Sequence, residues 1–207
     1  GSLDTSGEAD NTVIAGIQHK YRETVLMLAT NECAMYCRHC FRKRIVGLPD
    51  EGIAKDFDKI AAYLHAHTEI TNVLVSGGDA MMCSNERLEE ILGLLAGIPH
   101  IDFVRIATRA PVTLPSRITS DIGLLDVLKR YRERKQLFVV TQFDHPREVT
   151  SEAAKAVRAI LDLGIPVRNQ PVLLRGVNDD VEVLASLLQK LTSIGVEPYY
   201  VFQCRPV

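Results

Sequence analysis

Residues 25–40 read VLMLATNECAMYCRHC, an apolar run that passes directly into three cysteines, Cys33, Cys37 and Cys40. A short apolar run bounded by polar residues reads as a strand covered on both faces, and the loop at its carboxyl end then carries three thiols within eight residues. A cluster of the [4Fe–4S] type normally takes four thiolates, so a set of three leaves one iron with an open coordination position. Such an iron is able to bind and reduce a ligand.

Other uses of these thiols stand beside that one. Zinc wants four ligands in a tetrahedron, and His39 is the obvious fourth, but as the immediate neighbour of Cys40 it does not easily close one tetrahedron with it. A disulfide fits poorly with five cysteines in a sequence without a signal-peptide pattern, which reads as cytoplasmic. Packing cysteines explain one or two thiols but not three in CAMYCRHC. The neighbouring Arg38, Arg42, Lys43 and Arg44 are expected to lower the thiol pKa values and favour metal binding. An iron–sulfur electron-transfer or binding module, with Cys83 or Cys204 as a fourth thiolate, is the alternative of another class. Otherwise those two cysteines read as core or edge residues.

Outward from the cysteines the same unit repeats. VLMLAT (25–30) is followed by a helix near 54–66, NVLVSGG (72–78) by one near 86–96, and FVRIATR (103–109) by one near 119–133. LFVVTQF (137–143), VRNQPVLL (167–174) and PYYVFQC (198–204) complete the series, with helices near 151–163 and 180–193. Six apolar strands joined by five helical crossovers predict an α/β fold: a parallel sheet curled by right-handed crossovers into an open, partial (β/α)6 TIM-type barrel. An open barrel leaves an edge on its sixth strand, which a second copy or a further segment would cover.

Barrel chemistry sits at the carboxyl ends of the strands. Those ends carry the cysteines, then Ser76, Gly77, Gly78 and Asp79, then Thr108 and Arg109, then Gln142 and Asp144, then Asn169 and Gln170, and finally Cys204 and Arg205. A buried polar group left unpaired costs about 1–3 kcal/mol, so a ligand is the natural partner of such residues in strands of Val, Leu and Ile. The glycines permit close approach of backbone to a ligand, and Ser84 or Asn85 reads as a helix cap.

The chain has 207 residues, 46% of them hydrophobic, and a net charge of −2. It is expected to form one domain over 13–207, with no membrane span and no nucleic-acid footprint. Gly1 and Ser2 read as an expression scar, and residues 1–12 as a disordered polar tail.

CAMYCRHC followed by FRKR, VLVSGGDAMM, VRIATRAPVTLPSRIT, TQFDHPREVT, NQPVLLRGVNDD and PYYVFQC together resemble, in order, the blocks of the radical S-adenosylmethionine enzymes of the lysine 2,3-aminomutase group. The resemblance runs from about His19 to Gln203. It implies a [4Fe–4S] cluster on Cys33, Cys37 and Cys40 whose open iron chelates S-adenosylmethionine. Reduction then cleaves the sulfonium to methionine and a 5′-deoxyadenosyl radical, which abstracts hydrogen from the substrate. It further implies that Ser76, Gly77, Gly78 and Asp79 lie near the methionyl amine, His39 near the adenine, Gln170 near the ribose or carboxylate, and Arg42 on the substrate carboxylate. A reductant such as flavodoxin or ferredoxin is implied as partner.

The group moves an amino group on pyridoxal phosphate, and here the sequence departs from it. The pyridoxal-binding lysine belongs to a segment of the group beyond the last residue of this sequence. Lys20 and Thr24 stand where the group has phosphate-binding arginines, and Gln142 stands where it has a histidine, though an amide still hydrogen-bonds a cofactor. Arg205 stands where the group has an acidic residue that holds the substrate ammonium, and a cation there points to a substrate with an anionic group. The resemblance thus implies an isomerase acting on an amino acid, with a relative that uses no pyridoxal phosphate and takes an anionic substrate as the alternative.

Overall fold

The structure is a computed structural model and describes residue 4 and residues 7–48 and 52–205. Its elements in chain order are α1 (Glu8–Asn11), β1 (Thr12–Ile14), β2 (Ile17–Tyr21), β3 (Thr24–Thr30), α2 (Phe57–Ala66), β4 (Asn72–Gly77), α3 (Asn85–Ala96), β5 (Phe103–Thr108), α4 (Ala110–Thr113), α5 (Ser116–Thr119), α6 (Ile122–Arg132), β6 (Gln136–Thr141), α7 (Ser151–Asp162), β7 (Val167–Asn169), β8 (Val172–Leu173), α8 (Val181–Ser193), β9 (Val196–Pro198) and β10 (Phe202–Gln203). Eight strands form one open sheet in the order β1-β2-β3-β4-β5-β6-β7-β9. From β3 to β9 every neighbouring pair is parallel, which is the open partial barrel the sequence predicts.

Each long crossover helix begins at a polar side chain that accepts a hydrogen bond from the first turn: Asp56, Ser84, Asp121, Thr150 and Asp180 for α2, α3, α6, α7 and α8. Such a cap is worth about 1 kcal/mol and fixes where the chain leaves the loop. The inner faces follow helical spacing, as with Leu88, Ile91, Leu92 and Leu95 of α3 and Ala153, Ala156, Val157 and Ile160 of α7, all at most 1% exposed. They close over Val25, Met27, Val73, Val75, Val104, Ile106, Leu137 and Val139 of the central strands.

Three features differ from the sequence reading. The runs 167–174 and 198–204 are not single strands: Pro171 and Pro198 lack the N–H a ladder needs, so β7 and β9 stop short. The chain resumes as β8 and β10, which pair in a separate two-stranded parallel sheet. Second, β1 and β2 add an antiparallel hairpin to β3 on the far edge of the sheet. Third, within the stretch 1–12, residues 8–11 are helical and Thr12 opens β1, while 1–3, 5 and 6 lie outside the described residues. Glu8 is only 5% exposed, because its carboxylate pairs with Arg42 at 2.8 Å and Arg44 at 2.5 Å. That pairing orders the segment and is invisible in its polar composition.

Candidate functional site

A cavity of about 460 Å³ opens where the parallel strands end. The residues assigned above to the cluster, the cofactor and the substrate line it: Cys33, Cys37, His39, Cys40, Arg42, Ser76, Gly77, Gly78, Asp79, Gln142, Gln170 and Arg205; of the other strand-end residues Thr108 and Arg109 line it too, whereas Asp144, Asn169 and Cys204 do not. The strand register explains the convergence, since Thr108 lies opposite Thr141, which lies opposite Asn169, so three successive strand ends stand level.

The end of β4 is joined to the cysteine loop by backbone. Gly78 N–H donates to Thr30 O at 2.6 Å and Asp79 N–H to Glu32 O at 2.7 Å. Gly77 has φ 122°, and a Cβ there would stand 2.2 Å from Thr30 O; one on Gly78 would stand 2.2 Å from Glu32 O. The close approach that these glycines permit is therefore first of all to the segment leading into Cys33. Asp79 is 5% exposed and accepts from the Thr108 hydroxyl at 2.6 Å, Arg109 N–H at 2.7 Å and Met81 N–H at 3.0 Å. Burial pushes its carboxyl pKa up against the opposing effect of those donors. Both its oxygens are engaged within the protein, so it braces β4 against β5.

A second group of polar residues surrounds Arg109 at the end of β5. The guanidinium donates to Gln142 O at 3.1 Å, Cys37 Sγ at 3.0 Å, Asp144 at 3.2 Å and Glu148 at 2.7 Å. The Gln142 amide nitrogen meets both Asp144 Oδ2 and His39 Nε2 at 2.8 Å. His39 Nε2 is then the acceptor, and burial holds the imidazole pKa below its ordinary value, in keeping with a neutral ring.

The thiols correct one expectation. Burial raises the pKa of Cys33 to about 12, with no opposing cation, and raises that of Cys40 against the lowering effect of Arg42. Two cations of the FRKR run, Arg42 and Arg44, are turned to Glu8. The thiols are near enough for Cys37 and Cys40 to add to the upward shift of Cys33. Among the described residues no three His, Cys, Asp or Glu side chains are gathered for a single metal ion. The zinc reading with His39 thus gains no support, whereas a four-iron cluster is wider than one ion and takes its thiolates from farther apart.

A family model described as the Radical SAM superfamily matches residues 27–188. The chain belongs to the radical SAM superfamily. It is 43% identical over 203 residues to the L-lysine 2,3-aminomutase of Fusobacterium nucleatum, covering 98% of this chain and 47% of that protein. It is 41% identical over 206 residues to the glutamate 2,3-aminomutase of Clostridioides difficile, covering 99% of this chain and 48% of that one. The chain spans about half the length of the curated relatives it matches. A solved structure of native anSMEcpe with bound AdoMet superposes with a TM-score of 0.63 at 12% identity, over 87% of this chain and 50% of that chain, and shares the fold.

Radical SAM membership implies a [4Fe–4S] cluster and S-adenosylmethionine, and the residues present fit both. Three partly exposed thiols from one loop meet a single cavity. The Thr141 hydroxyl, 1% exposed and lining that cavity, has no hydrogen-bond partner among the described residues. Lys20 and Thr24, which stand at the phosphate-binding positions, are not among the cavity residues, and the Thr24 hydroxyl donates to Asn72 at 3.1 Å.

One residue that the sequence offered to a ligand turns out differently, Cys83 keeps its reading as a core residue, and two were missed. Asn169 is fully buried and exchanges hydrogen bonds with the backbone of Phe143, 2.7 Å to its N–H and 3.0 Å to its carbonyl, so its partner is the protein and not a ligand. Cys83 is buried in the core, and burial raises its thiol pKa to about 11. Glu148 and Asn178 lie within the quoted blocks TQFDHPREVT and NQPVLLRGVNDD but were not singled out from them. Glu148 holds Arg109 and the Asp144 N–H, and Asn178 holds the Asp144 carbonyl at 2.7 Å and Val172 O at 2.9 Å.

Proposed function

We propose that this chain forms the S-adenosylmethionine-cleaving domain of an amino-acid 2,3-aminomutase. One observation carries the reading: the three thiols, the Gly77-Gly78 strand end, Gln142, Gln170 and the unpartnered Thr141 hydroxyl all meet the same cavity of about 460 Å³. When bound, a [4Fe–4S] cluster on Cys33, Cys37 and Cys40 supplies the electron that cleaves S-adenosylmethionine to methionine and a 5′-deoxyadenosyl radical. Around it the chain binds and orients. Gln170 and Thr141 offer hydrogen bonds to the ribose and carboxylate of the cofactor, the neutral His39 ring flanks the adenine, and the apolar strand ends exclude water. Thiols in this form belong in a reducing compartment, with a flavodoxin- or ferredoxin-type reductant.

The substrate proposed is an amino acid with a second anionic group. Arg205 lines the cavity, as does Arg42, whose Nε is held by Glu8 at 2.8 Å, and a relative of nearly the same identity as the lysine enzymes is named for glutamate. No step is assigned to pyridoxal phosphate. Anaerobic reconstitution with iron and sulfide, dithionite reduction and electron paramagnetic resonance with and without S-adenosylmethionine test the domain assignment, alongside an assay for 5′-deoxyadenosine. The expected result is a [4Fe–4S] signal perturbed by the cofactor, with deoxyadenosine formed. A cluster indifferent to the cofactor overturns the reading in favour of an electron-transfer module. For the substrate, Arg205→Asp is expected to shift preference from glutamate toward lysine, and an unchanged preference removes that part.

A further inference from the structure

We propose that Arg109 sets the electronic character of the bound cluster by donating a hydrogen bond to one of its ligating sulfurs, Cys37 Sγ. The inference rests on the reading of Cys33, Cys37 and Cys40 as cluster ligands. The geometry is built from three sides. The Arg109 backbone N–H is fixed on Asp79 at 2.7 Å, its Nε on Gln142 O at 3.1 Å, and its Nη2 on Asp144 at 3.2 Å and Glu148 at 2.7 Å. A guanidinium is a rigid planar fork, so anchoring Nε and Nη2 aims Nη1, which stands 3.0 Å from Cys37 Sγ. The side chain is 15% exposed and that of Asp144 2%, so solvent screens the contact little.

Hydrogen bonds to cluster sulfurs are one of the protein's levers on reduction potential. Reduction adds a negative charge to the cluster, and a donor held on a sulfur stabilises that charge. Arg109 alone would also add a positive charge beside the cluster. Asp144 and Glu148 offset it, so the group delivers a directed hydrogen bond without net positive charge. Arg109 is on this argument a positioning residue that acts through Cys37, and the acidic pair tunes it.

The test is the midpoint potential of the reconstituted cluster, measured by electron paramagnetic resonance during an anaerobic redox titration without S-adenosylmethionine, together with iron content per chain. Arg109→Met is expected to load the cluster and titrate at a more negative potential than wild type, with Arg109→Lys between the two. Glu148→Gln, which leaves Arg109 less compensated, is expected to move the potential the opposite way. Loaded Arg109→Met at the wild-type potential, or at a more positive one, overturns the inference. Should neither Arg109 variant hold a cluster, Glu148→Gln decides: a positive shift supports the inference, and the wild-type value overturns it. A wild-type chain that takes up no four-iron cluster removes the cysteine reading itself, an outcome distinct from a loaded wild type with unresponsive variants.

Discussion

Gly77→Ala tests whether the end of β4 is the brace for the cysteine loop. Gly77 sits at φ 122°, where a side chain is strained, and its Cβ would stand 2.2 Å from Thr30 O, a backbone atom that cannot rotate away. Strain of that kind costs about 1–3 kcal/mol. Relief requires β3 and β4 to part at their ends, weakening the Gly78-to-Thr30 and Asp79-to-Glu32 hydrogen bonds of 2.6 and 2.7 Å. Each contributes about 0.5–1.5 kcal/mol, so the expected total loss is about 2–6 kcal/mol. With a urea dependence of about 2 kcal/mol per molar, the middle of the usual range, the unfolding midpoint falls by roughly 1–3 M. Gly176→Ala supplies the control, because Gly176 has φ 71° but nothing within 4 Å of the added Cβ. It carries only the conformational part, about 1–2 kcal/mol. Because Glu32 immediately precedes Cys33, Gly77→Ala also lowers iron uptake on anaerobic reconstitution, whereas Gly176→Ala does not. A Gly77→Ala midpoint no lower than that of Gly176→Ala refutes the bracing argument.

Asn169→Ala strips the partners from the Phe143 N–H and carbonyl, and is expected to cost about 2–4 kcal/mol in urea unfolding; a loss under about 1 kcal/mol would return Asn169 to the ligand. Asp121 caps α6 through Leu124 N–H at 2.9 Å and pairs with Arg117 and Asn85, and these donors, the cap first, hold its carboxyl below its ordinary value. Asp121→Ala should therefore cost about 1–2 kcal/mol at neutral pH, and the margin should be present above the ordinary carboxylate range and vanish as pH falls through the lowered folded value, read from thermal unfolding across pH. Cys83→Ala should leave iron per chain at the wild-type level while Cys33→Ser reduces it; equal losses in both would make Cys83 a fourth ligand and favour an electron carrier.

The parallel strands were legible because buried strands of this kind are nearly continuous runs of Val, Leu and Ile, and the helices because helical stretches alternate with them, with Ser84 read as a cap; the caps at Asp121, Thr150 and Asp180 emerged only with the structure. Strand ends then placed the candidate residues together without any knowledge of contacts, since the parallel register brings carboxyl ends level. Illegible were the partners. Glu8 reaches 34 residues along the chain to Arg42, and Arg109 reaches 39 to Glu148. Neither pairing has a local pattern, because an ion pair between distant loops leaves no periodicity in either.

The adjacent pair Asn169 and Gln170 shows where the boundary of legibility falls. Both were read as polar interruptions of an apolar strand and both were offered to a ligand. Successive residues of a strand point to opposite faces, and Asn169 is the last residue of β7 while Gln170 lies just past it. Asn169 points to the packed side and satisfies the backbone of Phe143, while Gln170 lines the cavity and is anchored through its N–H to Thr141 O at 2.9 Å. The structural amide also places the functional one: by fixing the end of β6 it sets the height of Thr141, which sets that of Gln170. The pair divides into one brace and one contact, and only the packing of the neighbouring strand says which is which.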